Sequence, residues 1–293
     1  MSIINTFKKS LAFVFLRKLK NQYQRNRQSF LKTLNQNEFE SILINELNIN
    51  SGDTLFIHSS LDKINLSFSP FDALNIILDI VGTNGTILFP TYPLGYSYNF
   101  LKQNQVFNQK LTPSSTGILS EVARRHKNAK RSLHPTKSVV AIGKNAEELT
   151  NTHHLSPFPY DKNSPYFKLY NYNSKIIGIG VKTTYLSCVH TVDDTYKNDF
   201  IVEVYHNELF NARCINYNKE EVIVPTYAHN MKMMKFNLPN YFNKYIDKNI
   251  CSDLSVDGYN FFKADAKKLF DKMINLYENE NITIYPKNIY KRK

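Results

Sequence analysis

Several common signatures are missing from this 293-residue chain, and each absence removes a class of function. No apolar run approaches the roughly 20 residues that a membrane-spanning helix needs. The longest near the start, Leu11 to Leu16, is too short for a signal-peptide core, and no small-residue cleavage site follows it. The three cysteines, Cys188, Cys214 and Cys251, are widely spaced and odd in number, which suits a reducing compartment without structural disulfides. They form no CxxC pair and no Cys/His cluster of zinc spacing, so no metal is expected. There is no Walker A lysine motif and no GxSxG nucleophile elbow. Gly178-Ile179-Gly180 follows an apolar strand like half of a dinucleotide fingerprint, but the third glycine is absent. Internal repeats and low-complexity linkers are also lacking. A cytoplasmic protein is expected, with a location at the inner membrane surface kept open.

What the chain does contain is a sizeable core and an uneven charge. Hydrophobic residues make up 42% and aromatics 13%, which excludes a mainly disordered chain. The net charge of +12 is terminal: residues 1–37 carry eight basic side chains and no acidic one, residues 287–293 carry four more, and the span between is balanced. Residues 1–34 place Ile3, Ile4, Phe7, Leu11, Val14, Phe15 and Leu19 at helical spacing among lysines and arginines. This predicts a basic amphipathic helix, packed on the domain or on a second subunit, or lying on an anionic membrane surface. Without aromatic–basic alternation or a binding module, nucleic acid is not expected as a partner.

The remainder, residues 35–293, reads as a single α/β domain. Helices are predicted over Asn35 to Asn48, over Pro70 to Val81, and over Gly117 to His126, the last capped by Ser115 or Thr116. Buried strands are predicted at Thr54 to His58, Thr86 to Phe89, Val139 to Ile142 and Ile176 to Val181. Phe200 to Tyr205, Ala212 to Tyr217 and Glu221 to Val224 read as antiparallel strands. Helical signals return around Tyr241 and over Phe261 to Glu278. Leu94 to Pro113 reads as a polar substrate loop.

The reactive side chains concentrate between Lys130 and Asp194. His190 with Asp193 three residues on has the makings of a base and its orienting carboxylate. Cys188 lies on a strand-like run that would point it the same way as His190, although a small buried cysteine is the commoner outcome. His58-Ser59-Ser60 at a strand end and the His134 to Ser138 turn offer hydroxyls and amides for a carbonyl or phosphate. His153-His154 lacks a third ligand and reads as an exposed pair.

Taken in order, GDTLFIHSSL, GTNGTILFPTY, STGILSEVARRH, RSLHPTKSVVAIGKNAEELT, SPYFKLYNYNSKIIGIGV and TYLSCVHTVDD resemble the aminoglycoside 3-N-acetyltransferase family over roughly Asn50 to Asp194. The resemblance implies a layered α/β/α sandwich around a central mixed sheet, here with the added N-terminal helix, and an enzyme using acetyl-CoA. It implies that His190 is the general base on an acceptor amine and Asp193 its partner. Ser59, Ser60 and Leu61, after His58, match the turn near the coenzyme thioester, and Thr91, His134 and Ser138 match other positions along that cleft. Where this chain has Asp193 the family usually has glutamate, so the shorter side chain must be accommodated by a backbone shift, or Asp194 must serve. Direct transfer is expected rather than an acyl-Cys188 intermediate.

Aminoglycosides are polycations and call for carboxylates around them. The acceptor regions here, Leu94 to Pro113 and Tyr205 to Tyr259, show no acidic concentration. The expected acceptor is therefore an amino sugar, with one linked to a nucleotide for surface glycan synthesis included. Aminoglycoside resistance and a non-catalytic, membrane-docking protein of the same fold are the alternatives. The sequence leaves oligomerisation open.

Overall fold

A computed structural model describes residues 28–291 except Lys235. Most of the basic helix predicted over residues 1–34 therefore lies outside the described residues. Among those described, no helix is long and apolar enough to cross a membrane.

The strands, in chain order, are β1 (Thr54–Ser59), β2 (Thr86–Pro90), β3 (Phe107–Asn108), β4 (Lys130–Arg131), β5 (Val139–Gly143), β6 (Lys175–Ile179), β7 (Tyr205–Ile215), β8 (Glu221–His229), β9 (Cys251–Val256) and β10 (Tyr259–Asp265). Seven of them form one mixed sheet in the order β4-β5-β2-β1-β6-β10-β9. β1 runs parallel to both β2 and β6, and the outer strands are antiparallel. A smaller sheet orders β3-β7-β8.

Continuous apolar runs in β1, β2 and β5 are explained by cover on both faces of the large sheet. Alternate residues divide between two cores. Leu55, Ile57, Ile87, Phe89, Val140 and Ile142 pack with the helices Gln36–Ser41, Pro70–Val81 and Ile118–Arg125. Phe56, Leu88, Val139, Ala141, Ile176 and Phe262 pack with Ala266–Glu280, Leu238–Tyr245 and the short helix His190–Tyr196. The strand period of two thus places His58 on the same face as Phe56, the face that also carries His190.

Local chemistry sets most boundaries. Ser69 and Asp72 form a reciprocal capping box with Pro70 at the first helical position, and the helix stops at Gly82. The helix Ile118–Arg125 has no side-chain cap: Thr116 Oγ1 donates to the Pro90 carbonyl and Ser115 Oγ to the carbonyls of Tyr92 and Pro93. The expected cap is replaced by ties to the exit of β2.

Three readings of the second half are corrected. Phe200 to Val204 is irregular, and the hairpin spans β7 and β8 instead. The Leu94 to Pro113 stretch contains a helix, Ser97–Lys102, as well as β3. Phe261 lies in a strand, because Cys251 to Asp265 forms a β9–β10 hairpin and the helix starts only at Ala266. Its loop is Asp257-Gly258, both at positive φ (49° and 83°), the two-residue turn that matches strand twist.

That hairpin also explains Gly178. It stands directly opposite Phe262 in the register of β6 and β10, and a Cβ there would collide with the Phe262 ring. The glycine makes room for an aromatic, and the half-fingerprint has a packing origin. Gly178→Ala is expected to cost about 1–3 kcal/mol through overpacking. Denaturant unfolding would measure it, and unchanged stability would contradict this account of the β6–β10 contact.

Candidate active site

His190 opens the helix His190–Tyr196 after a succession of short turns, so it does not stand at a strand exit as its spacing suggested. Helical geometry brings residues three apart onto one face. His190 Nδ1 lies 2.8 Å from Asp193 Oδ2, and both side chains are buried. The Tyr285 hydroxyl donates to the same Oδ2 at 2.6 Å and lies 3.3 Å from His190 Nδ1. A carboxylate oxygen that already accepts from a phenol can only accept, so Nδ1 carries the proton. The lone pair is then on Nε2, which has no hydrogen-bond partner among the described residues and keeps some contact with solvent. This arrangement is suited to accepting a proton.

Asp194 is held elsewhere. Its Oδ2 accepts the Tyr160 backbone N–H at 2.6 Å and its Oδ1 the Tyr205 hydroxyl at 2.7 Å. Of the two adjacent aspartates, only Asp193 faces the imidazole. The shorter side chain reaches His190 without help from Asp194, and Tyr285 holds it there.

Around this pair stands a wall of rings. Tyr160, His229 and Phe236 lie 5.3, 5.0 and 5.7 Å from the His190 ring centroid. The Tyr160 hydroxyl is 3.5 Å from that of Tyr92, which also accepts from the Tyr166 hydroxyl at 2.7 Å. Tyr92 lines a cleft of about 490 Å³ whose walls include His58, Ser59, Ser60, Thr116 and Ser187. His58 Nε2 and Ser59 Oγ, just behind that wall, are sealed and have no hydrogen-bond partner among the described residues. A second cavity of about 520 Å³ lies on the Tyr285 side and is lined by Phe236, Asn237, Asn240, Tyr241 and Tyr290 among others.

The residues expected along the cleft separate into two groups. His58, Ser59 and Ser60 do line it. Leu61 is buried in the hydrophobic core beside it. Thr91, His134 and Ser138 are fully buried and are not among the residues lining this cleft. Their polar atoms serve a buried cation: Arg131 Nε donates to Thr91 Oγ1 and Ser138 Oγ, both at 3.1 Å, and Nη1 to the Thr112 carbonyl at 2.6 Å. Arg131 has no carboxylate partner among the described residues, and burial lowers it to about 9. His134 Nδ1 accepts the N–H groups of Thr136 and Lys137, which leaves Nε2–H for Thr226 at 3.3 Å. These residues shape the wall from behind.

Cys188 occupies a short turn and not a strand, so it does not share a direction with His190. It faces a small void among Tyr166, Leu169 and Phe270, and burial pushes its thiol up, away from the reactive thiolate. His153 is buried, contrary to its reading as exposed. Its Nδ1 lies 2.8 Å from Ser132 Oγ and its Nε2 2.9 Å from the Pro159 carbonyl. Sequence spacing gave no hint of Tyr285, ninety-odd positions from Asp193 but bonded to it. His229, at the end of β8, was equally silent. Both its ring nitrogens are sealed and unpartnered. No group of three or more metal-ligating side chains occurs among the described residues.

The mixed sheet covered by helices on both faces and the buried His190–Asp193 pair define an α/β fold with a candidate site on one face. Residues 56–276 match the family described as aminoglycoside 3-N-acetyltransferase, and the chain belongs to that family. It is 27% identical over 165 residues to the SPbeta prophage-derived aminoglycoside N(3')-acetyltransferase-like protein YokD of Bacillus subtilis (strain 168). That match covers 50% of this chain and 60% of the relative, so the chain spans under two thirds of the relative's length. Among solved structures, the fold is similar to aminoglycoside acetyltransferase AAC(3)-Xa, with TM-score 0.70, 17% identity, and coverage of 89% of this chain and 98% of that one. It is also similar to AAC-IIIb in its binary complex with CoASH, with TM-score 0.68, 17% identity, and coverage of 84% and 97%.

Four histidines here, His58, His134, His153 and His229, are buried and kept neutral. Burial lowers His58 and His153 to about 3 and the other two well below their ordinary value. The unfolded chain protonates each near pH ~6.5 and the folded chain only far lower, so acid favours the unfolded state. Stability is fully present above that pH and is lost below it, by about 1.4 kcal/mol per pH unit for each histidine not otherwise relieved. Unfolding free energies from denaturant titrations at pH 7 and pH 5 are expected to fall by several kcal/mol (about 1.4 per pH unit per histidine) on acidification, with the midpoints falling accordingly. Equal midpoints would contradict neutral burial of this set.

Proposed function

We propose that this chain is an acetyl-CoA-dependent N-acetyltransferase that modifies the amino group of an amino sugar, nucleotide-linked sugars included, by direct transfer. The observation that carries the reading is the His190–Asp193 hydrogen bond through Nδ1, which leaves Nε2 without a hydrogen-bond partner among the described residues. Family membership supports the acetyl-CoA chemistry.

In this reading an acceptor ammonium, which is not a nucleophile, loses its proton to His190 Nε2. Asp193 and the Tyr285 hydroxyl hold the imidazole and stabilise the cation formed on it, a base step worth ~10²–10⁴-fold. The freed amine attacks the acetyl carbonyl, the C–N bond forms and the C–S bond breaks. Coenzyme A leaves as its thiol or thiolate. Ser59, Ser60 and neighbouring amides are the donors nearest the expected carbonyl, where negative charge develops. Cys188 has no part in the transfer.

The acceptor is argued from charge. The nearby carboxylates are engaged: Asp193 with His190, Asp194 with Tyr160 and Tyr205, and Asp161 beside Lys197. The cavity on the Tyr285 side offers tyrosines, asparagines and Lys287 but no carboxylate. Rings and amides suit a sugar, and the one carboxylate lining the other cleft, Asp62, already accepts from Ser60 Oγ, so a polycation would find little counter-charge. An aminoglycoside acceptor remains the second reading, favoured by the names of the relatives.

Coenzyme A release from acetyl-CoA is the test, run against aminoglycosides, free amino sugars and nucleotide-linked amino sugars. Release is expected with the sugars and is expected to fall ~10²–10⁴-fold in His190→Ala while coenzyme binding persists. Release with aminoglycosides alone would overturn the acceptor assignment, and full activity of His190→Ala would overturn the mechanism.

A further inference from the structure

Lys137 has no role in the arrangement described so far. It sits on the turn between His134 and Ser138, half-buried, with its Nζ 4.6 Å from the centroid of the Tyr92 ring. Tyr92 is the same ring that lines the cleft with Ser59 and Ser60. The backbone of Lys137 is pinned on both sides. Its N–H donates to His134 Nδ1 at 3.0 Å, and its carbonyl accepts from the Tyr166 hydroxyl at 3.2 Å. The ammonium itself has no hydrogen-bond or carboxylate partner among the described residues, yet Nζ is not among the sealed polar atoms and so keeps solvent contact.

Such a cation is unusual. Most lysines in this chain that make ion pairs do so near the surface, as Lys102 does with Glu208 and Lys267 with Asp271. Lys137 is instead set deep enough for burial to lower it to about 8, so it stays mainly protonated at neutral pH, and its charge reaches His134 and His229. A half-buried charge left without a counter-ion is costly unless a ligand supplies one. The neighbouring Arg131 also lacks a carboxylate among the described residues, but it is fully buried and its donors are satisfied. Arg131 is enclosed by carbonyls and hydroxyls, while Lys137 lies over the ring of Tyr92, which itself lines the cleft.

We propose that Lys137 is an anion anchor for the acceptor: its ammonium binds an oxyanion group, phosphoryl or carboxylate, carried by the amino sugar, and so selects acidic acceptors over polycationic ones. The inference rests on the acetyltransferase reading above. Two ligands could bring such a group, the acceptor and the phosphate-bearing end of the coenzyme. The position favours the acceptor. Lys137 touches the Tyr92–Tyr166–Tyr160 ring set that leads to His190, next to the expected reacting end, whereas the coenzyme's phosphates lie a full pantetheine arm from its thioester. A sugar's own acidic group is within a ring of the amine being acetylated.

The experiment compares an amino sugar with its 1-phosphate and its nucleoside-diphosphate conjugate as acceptors for the full chain, Lys137→Met and Lys137→Arg. The wild type is expected to prefer the phosphorylated acceptors by roughly 10–100-fold in kcat/KM, the scale of one charge-assisted contact. Lys137→Met is expected to lose most of that ratio and Lys137→Arg to keep part of it. A folding defect moves both acceptors together and leaves the ratio alone. An unchanged ratio in Lys137→Met would overturn the proposal. A weakened Kd for coenzyme A in that variant, with the acceptor ratio intact, would place the oxyanion on the coenzyme and overturn it equally. Should no acceptor be turned over, the acetyltransferase reading fails on its own. Calorimetric binding of the sugar 1-phosphate to the coenzyme-loaded chain still decides the anchor, by its loss or persistence in Lys137→Met.

Discussion

One oxygen of Asp193 accepts from two donors, the imidazole Nδ1–H of His190 and the hydroxyl of Tyr285, and much of the surrounding structure serves that contact. Its geometry depends on a helix that begins at His190, which puts the acid three residues on against the ring. It also depends on the chain returning, after the long helix Ala266–Glu280, to present Tyr285 from the other side. An exposed His–Asp pair would be free to swing and would be screened by water. Here both side chains are buried, so the tautomer and the direction of Nε2 are set by packing.

The same face of the sheet holds an unusual concentration of rings. His58, His134, His153 and His229 are neutral through burial and thus poor proton acceptors, which separates the walls of the site from its base. His134 and His153 stack at 4.4 Å and bond to backbone and hydroxyl partners, as structural histidines do. Arg131 is held in a similar way, by carbonyls and hydroxyls in place of an acid. Polar groups with such complete local satisfaction make a rigid frame. Against it, the Lys137 ammonium and the sealed atoms His58 Nε2 and Ser59 Oγ stand out as groups without a hydrogen-bond partner among the described residues.

The strands and helices of the first half were legible because burial on two faces leaves continuous apolar runs, and because Ser69-Pro70 and Asp72 spell a helix start. His190 and Asp193 were legible as a pair because the contact is local in sequence. Their element was misread, since Thr, Ser and Val around them favour strands, and tertiary packing overrode that preference. The β9–β10 hairpin carried a usable signal in Asp257-Gly258, flanked by alternating residues, and Phe261-Phe262 drew the reading towards a helix instead. Thr91, Ser138 and His134 illustrate a different limit. Their order in the chain marks them as part of the site region, but only coordinates show that they face Arg131 and the backbone, away from the cleft. Tyr285 and Lys137 depend on contacts far apart in sequence or on the lack of a partner, and neither leaves a pattern.

Two adjacent carboxylates, Asp193 and Asp194, have separate roles. Coenzyme A release by Asp193→Asn and Asp194→Asn, normalised to folded protein, tests that separation most directly. Asp193→Asn is expected to lose ~10²-fold or more with coenzyme affinity unchanged, because the imidazole loses the anion that sets its tautomer. Asp194→Asn is expected to lower stability through the Tyr160 and Tyr205 contacts while its folded fraction retains most of the activity. Wild-type turnover in Asp193→Asn, or a collapse confined to Asp194→Asn, would contradict it.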